Sequence, residues 1–146
     1  MYFDDLPVGF TFETGSSTVS LEDIYEFAGK WDPQPFHIDP EAAKSSPYGR
    51  IIASGFHTIT VAFVLILDSD IWTEASMGSP GMDNIRWIKP VYPGDTLRVT
   101  GEVLSAEPSA SRPDRGRTRI RYKIYNQSDD QVAEFTGIHL LRRKQV

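Results

Sequence analysis

The C-terminal half of the chain alternates between apolar and polar positions. From residue 96 to 103, apolar side chains and Gly101 alternate with Thr, Arg and Glu, and from 119 to 124 Ile and Tyr alternate with Arg and Lys. A period of two is typical of a strand with one buried face and one solvated face. Further segments bring the total to about five strands, namely 132–141, 82–88 and the short pieces 10–12 and 18–19, which are separated by Gly15.

One helix is predicted to be apolar on almost every side. The stretch 51–67 contains no Lys, Arg, Asp or Glu, and its helical part, 56–67, follows Gly55. Seventeen residues fall short of the roughly 20 that cross a bilayer, so we expect a buried helix. A helix that is hydrophobic all round must be wrapped by other elements. The pattern therefore predicts an α+β domain in which an antiparallel sheet of about five strands curls around one central helix.

Shorter helices are predicted before the central one. Ser20 begins an S-x-x-D sequence that caps a helix, and this helix is expected to end at Gly29 and Lys30. Prolines 33 and 35 restrict their preceding residues, which predicts a stiffened loop over 31–36. Asp39 followed by proline predicts a second, short helix that ends before Pro47.

Length and composition indicate one domain over residues 1–146. The chain has a net charge of −5 and no cysteine, which excludes disulfides, a thiolate nucleophile and Cys-ligated metals. The acidic balance disfavours binding to nucleic acid or to an anionic membrane surface. The first residues lack the basic start of a secretory signal, so a cytoplasmic location is expected. A sheet with an open edge strand predicts pairing of two copies as a homodimer.

The polar residues most suggestive of chemistry lie in the loop around the two prolines. Asp32 and His37 could both hydrogen-bond one water molecule and move its protons, although such residues are also common as turn and capping residues. Gly55 begins the central helix, where a free backbone amide can stabilise an oxyanion. His57 and His139 are expected to be structural, His57 as a core histidine with a satisfied hydrogen bond. The spacing of the three histidines is not that of metal ligands, so no metal is expected.

Several segments together resemble the MaoC-like dehydratase family, which includes the (R)-specific enoyl-CoA hydratases. The resemblance covers nearly the whole chain and is carried by these segments: Asp-x-x-Pro-x-His-x-Asp at 32–39, Ala-Ala at 42–43, Tyr-Gly at 48–49, Ile-Ile-Ala-Ser-Gly at 51–55 and the Pro-Gly-Asp turn at 93–95. It implies a hot-dog fold. It also implies a hydro-lyase that adds or removes water across the 2,3-bond of an acyl-CoA or acyl-carrier thioester. Coenzyme A enters only as part of the substrate, with no separate cofactor.

Site residues follow from the same resemblance, position by position. It implies that Asp32 and His37 hold the catalytic water and that the Gly55 amide binds the thioester carbonyl. The chain departs from the hydratase pattern at Lys30-Trp31, at Gln34 and at Ser54, so a differently shaped acyl pocket is expected. Its substrate-binding residues are predicted to be Trp31, Phe36 and Ser54, together with Arg50 and Arg86. The two arginines could meet phosphates of coenzyme A or be ordinary surface charges.

Two other functions remain open at this stage. A hot-dog thioesterase commonly needs a carboxylate on or near the central helix, and residues 56–67 contain none. A non-catalytic acyl-thioester-binding protein, or one subunit of a heteromeric dehydratase, is the third hypothesis, because the pocket residues differ from those of the hydratases.

Overall fold

The computed structural model describes residues 1–144, so the last two residues of the expected domain lie outside the described residues. Its helices and strands occur in the following order: β1 (Thr11–Thr18), α1 (Leu21–Trp31), α2 (Pro35–Ile38), α3 (Pro40–Lys44), α4 (Gly55–Asp68), β2 (Gly81–Trp87), β3 (Thr96–Pro108), β4 (Arg115–Tyr125) and β5 (Gln131–Arg142). Single 3₁₀ turns precede β1 and follow α4.

The five strands form one antiparallel sheet in the order β1-β3-β4-β5-β2. The sequence alternation is visible in β4, where Ile120, Tyr122 and Ile124 are fully buried and their neighbours are partly exposed. These side chains share one hydrophobic core with Ala62 and Ile66 of α4. The α+β architecture predicted from periodicity, with the sheet packed around the apolar helix, is thereby confirmed.

The central helix is less enclosed than its composition predicts. Phe56 and Val64 are 63% and 50% exposed, and Phe63 is also partly exposed, so one face of α4 has no cover within residues 1–144. Strand β2 lies at the sheet edge, and almost all of its residues are exposed. In the same residues, no helix is both long enough and apolar enough to span a membrane.

Three local boundaries differ from the sequence prediction. The two early strand pieces are one strand, β1, whose register with β3 shifts between Glu13 and Ser16. Helix α1 continues past Lys30 and ends at Trp31, with Asp32 as its C-cap, since the residue before a proline is disfavoured in the helical region. The expected loop over 31–36 contains the start of α2, because Pro35 supplies the preset φ angle of a first helical position.

Candidate active site

Three helix ends bring the predicted catalytic residues together. Asp32 caps the C-terminus of α1, His37 lies in α2, and Gly55 is the first residue of α4. All three line one groove of about 370 Å³. The hydrogen bond from the Ile52 amide to the Phe36 carbonyl ties the chain before α4 to α2. The groove therefore forms where the short helices meet the start of the central helix.

Asp32 is held by hydrogen bonds to both carboxylate oxygens. The Ser54 hydroxyl donates to Oδ2 at 2.7 Å, and the Gln34 side-chain amide donates to Oδ1 at 2.8 Å. Burial acts to raise the pKa of Asp32. The hydrogen bonds from Ser54 and Gln34, together with the nearby His37, outweigh it, so the pKa lies below its ordinary value. Asp32 is therefore an ionised carboxylate at neutral pH.

The His37 ring has one nitrogen fixed by the backbone. Nδ1 lies 2.7 Å from the Ile52 carbonyl oxygen, which can only accept, so Nδ1 carries a hydrogen. The other nitrogen, Nε2, lies 3.3 Å from Asp32 Oδ2 and is the position that can gain or lose a proton. The His37 side chain is only 4% exposed, and Phe36 packs edge-on against its ring. The ring thus presents Nε2 to Asp32 in a fixed orientation.

Gly55 combines a free amide with a crowded α-carbon. Among the described residues its N–H has no hydrogen-bond acceptor, as is usual for the first residue of a helix. The next amide, that of Phe56, is capped by the Ser54 hydroxyl at 3.2 Å. A β-carbon at Gly55 would lie 2.5 Å from the Trp87 indole, so a side chain at this position would displace Trp87. The Gly55 N–H is therefore a donor left available beside the groove.

The structure places only some of the predicted substrate-binding residues in the groove. Phe36 lines the groove beside His37. Trp31 does not: its side chain is 65% exposed, and the Lys30 ammonium lies over its ring, 5.0 Å from the centroid. Ser54 is fully buried and contacts Asp32 rather than the open groove.

Neither predicted arginine lines the groove. The Arg50 guanidinium stacks on the Tyr92 ring, with Cζ 3.7 Å from the ring centroid. Arg86 is exposed on the edge strand β2, opposite Glu134 of β5. The cation that does line the groove is Lys89, which forms an ion pair with Asp130 at 3.3 Å.

Sequence reasoning missed several groups that shape the site. Gln34 and the Ile52 carbonyl fix Asp32 and His37, and Trp87 packs over Gly55. The remaining walls of the groove come from Tyr48, Ala53, Phe56, Thr58, Ile88, Pro90 and Val91. A polar side chain two residues from Asp32 was a usable signal for Gln34. The role of a backbone carbonyl, or of a tryptophan from a distant strand, has no such signal in the sequence.

The other two histidines lie outside this groove. His57 stacks on Phe27 with ring centroids 4.6 Å apart, and burial lowers its pKa. Its Nδ1 is buried with no partner among residues 1–144, so the expected satisfied hydrogen bond is absent there. His139 is buried in β5 and lies 2.8 Å from the Tyr122 hydroxyl.

Comparison with known proteins identifies the family. The model of the family described as "MaoC like domain" matches residues 7–123. An uncharacterized protein of Bacillus subtilis, YdeM, is 36% identical over 143 residues, which are 98% of this chain and 100% of that protein. The crystal structure of a MaoC-like dehydratase from Rhodospirillum rubrum superimposes with a TM-score of 0.93 at 35% identity, covering 100% of this chain and 99% of that one.

A more distant relative carries a named activity. The 3-hydroxyacyl-thioester dehydratase Z of Mycobacterium tuberculosis is 31% identical over 94 residues, which are 62% of this chain and 61% of that protein. The groove described above thus occurs on a fold and a sequence pattern shared with dehydratases. The chain belongs to the MaoC-like family and has its hot-dog fold.

Proposed function

We propose that this protein is a hydro-lyase that adds or removes water across the 2,3-bond of an acyl thioester. The observation that supports it most is the 3.3 Å approach of His37 Nε2 to Asp32 Oδ2 in a groove that also contains the free Gly55 amide. An acid, a base and an oxyanion donor are the three groups that this reaction needs. Membership in a family with dehydratases supports the same reaction type.

In the proposed hydration, Asp32 takes a proton from the attacking water and His37 donates a proton to the substrate. The reactive state has an ionised Asp32 and a His37 ring protonated on both nitrogens, as an ion pair. Asp32 accepts a proton from water as the water oxygen bonds to C3 of the enoyl group. The electrons of the double bond move towards the thioester carbonyl, and His37 Nε2 then donates its proton to C2. Proton transfer from Asp32 to His37 restores the ion pair, and dehydration is the same sequence reversed.

In the proposed mechanism, the Gly55 amide stabilises the negative charge that develops on the thioester oxygen. Addition at C3 places negative charge on the thioester oxygen, and a donor already fixed in place stabilises that charge without reorganisation. Removing such a donor costs roughly 10²- to 10³-fold in kcat in other enzymes. The Trp87 indole lies against the α-carbon of Gly55, and water excluded on that side would strengthen the interaction.

Two substitutions and two matched controls test the proposal. Asp32→Asn and His37→Ala are expected to lower the rate of absorbance loss with crotonyl-CoA, or with a longer enoyl-CoA, by roughly 10²- to 10⁴-fold. Asp39→Asn and His57→Ala change the same residue types outside the groove and are expected to leave the rate near wild type. Full activity in both groove variants would refute the assigned roles. Release of free thiol from acyl-CoA would instead support a thioesterase.

A homodimer is part of the same proposal. The open edge of β2 offers unpaired backbone groups, and the exposed face of α4 offers apolar side chains at Phe56, Phe63 and Val64. We expect antiparallel pairing of β2 with β2 of a second copy to satisfy the first set. Light scattering at micromolar concentration is expected to give twice the 16.4 kDa chain mass. A monomer at that concentration would contradict it.

A further inference from the structure

A second cavity lies further along the same central helix. Its volume is about 400 Å³, and its walls include the apolar side chains of Phe63, Leu67, Met82 and Phe135 on α4, β2 and β5, while the segment 72–79 forms another side. Leu67 is twelve residues after Gly55, about 18 Å further along the helix axis. The volume is within the range of small-molecule sites. Neither Asp32, His37 nor Gly55 lines it.

The wall of this cavity contains one buried imidazole with a partner on only one side. His139 is 4% exposed, and its Nε2 lies 2.8 Å from the Tyr122 hydroxyl. Among residues 1–144 its Nδ1 has no hydrogen-bond partner, and unlike Nδ1 of His57 it is not one of the fully buried unpaired atoms. The His139 side chain lines the cavity. The hydroxyls of Thr73 and Ser79, also in the wall, donate to backbone carbonyls. His139 Nδ1 is therefore an unpaired polar atom on a residue that lines the cavity.

A chain of hydrogen bonds fixes where the His139 proton sits. The indole Nε1 of Trp72 can only donate, and it donates to the Tyr122 oxygen at 2.9 Å. Tyr122 is fully buried, and burial raises its pKa, so its hydroxyl keeps its hydrogen. Among the described residues the acceptor within reach of that hydrogen is His139 Nε2. A neutral ring that accepts at Nε2 carries its hydrogen on Nδ1, and burial favours the neutral ring.

We propose that this cavity binds an apolar ligand through one acceptor oxygen, held by the fixed Nδ1–H of His139. A ligand that carries a ketone, ester or hydroxyl oxygen on its hydrocarbon chain should bind more tightly than the same hydrocarbon without the oxygen. The reason is that a plain hydrocarbon would leave the buried N–H without a hydrogen bond, which costs free energy. The ligand is either a free small molecule or the distal end of the acyl chain of the thioester, and this second source rests on the proposed function.

The proposed dimer offers a route from the groove of one copy to the cavity of another. Antiparallel pairing of β2 with its copy would set the end of β2 that carries Trp87 beside the opposite end, near Met82, of the second copy. Trp87 borders the groove, and Met82, next to Gly81, borders the cavity. The groove of one protomer would then lie beside the His139 cavity of its partner. A thioester bound at Gly55 could place an oxygenated chain end there.

Binding of an isosteric pair of probes tests the proposal without catalysis. The probes are 2-octanone and 2-methyl-1-octene, in which a CH₂ group replaces the carbonyl oxygen. Long-range ¹H–¹⁵N spectra of the labelled protein are expected to show His139 protonated on Nδ1. That nitrogen should shift with 2-octanone, which should bind roughly fivefold more tightly than the alkene. His139→Phe is expected to remove this preference, and His57→Phe, a buried histidine outside the cavity, to keep it.

A second variant covers the case in which His139→Phe does not fold. Tyr122→Phe keeps the imidazole but removes the hydroxyl that selects the tautomer, and the preference for 2-octanone is expected to fall. No binding of 2-octanone, no shift at His139, or an unchanged preference in a folded variant of either residue would overturn the proposal.

A catalytic comparison distinguishes the two sources of the ligand. Enoyl-CoA substrates with a ketone near the chain end, or with the isosteric alkene, are compared in the hydration assay. A kcat/KM preference for the ketone that disappears in His139→Phe assigns the cavity to the acyl chain. If kcat/KM is equal for the two substrates while the protein still prefers 2-octanone to the alkene, the cavity is assigned to a free small molecule. Absence of all hydration contradicts the proposed function alone.

Discussion

Ser20 and Ser54 cap α1 and α4, and only Ser54 also contacts Asp32. Comparing the free energies of unfolding of their alanine variants therefore measures how much the bond to the Asp32 carboxylate contributes. Ser20 is exposed, and its hydroxyl oxygen accepts only from the Asp23 amide at 3.0 Å. Ser54 is fully buried, and its hydroxyl caps the Phe56 amide and also donates to Asp32. Serine to alanine at both positions removes a cap, but only Ser54→Ala also removes a hydrogen bond to a charged group.

The expected magnitudes follow from these contacts. Losing an N-cap costs about 1 kcal/mol, and a hydrogen bond to a charged group contributes about 1.5 to 3 kcal/mol. Asp32 keeps its bond from Gln34 and is 13% exposed, so water can replace part of the loss. We therefore expect Ser54→Ala to lower the free energy of unfolding by about 1.5 kcal/mol more than Ser20→Ala. With a urea m-value near 2 kcal/mol/M, the midpoints should differ by about 0.75 M.

The extra loss of unfolding free energy in Ser54→Ala also depends on pH. The pKa of folded Asp32 lies below its ordinary value of 3.8, so its stabilising contribution is present above 3.8 and is lost as the pH falls through the lowered pKa. The difference between the two variants should be constant from pH 7 to about pH 5 and shrink below 3.8. Ser54→Ala should also raise the pKa of Asp32 and move the acidic limb of the pH–rate profile upward. Equal midpoints for the two variants at pH 7 would refute this account of Ser54.

Two further predictions concern the core. The Thr118 hydroxyl is buried without a partner among residues 1–144, so Thr118→Val is expected to raise the free energy of unfolding by about 1 kcal/mol, measured by urea titration. Thr58→Val, which removes a hydroxyl that donates to the Ser54 carbonyl, should not raise the free energy of unfolding. A lower free energy of unfolding in Thr118→Val would contradict the prediction. Burial lowers the pKa of His139 from 6.5 to about 4. Because the unfolded state then binds more protons between these values, wild-type stability should rise by about 3 kcal/mol more than that of His139→Phe from pH 4 to 6.5. Parallel pH profiles would exclude a neutral buried His139.

Much of the fold was predictable because its signals are local. The alternation in β4 needs only neighbouring residues, and the structure buries Ile120, Tyr122 and Ile124 as predicted. The Ser20 and Asp39 caps act over three residues, and both hydrogen bonds form. The prolines were harder to interpret. Pro33 and Pro35 disfavour helix before themselves, but Pro35 also begins one, and the same residue supports either outcome until its neighbours are placed.

The sequence by itself determined the elements, the apolar helix and the candidates Asp32, His37 and Gly55. Only the tertiary structure decided which side chains face the groove. Trp31, the last residue of α1, is exposed outside the groove, and Ser54 is a buried partner of Asp32 rather than a wall. The Ile52 carbonyl and the Trp87 ring reach the site from other segments. Helix and strand patterns are set by contacts between near neighbours, whereas a site is set by the packing of distant segments, which no local pattern encodes.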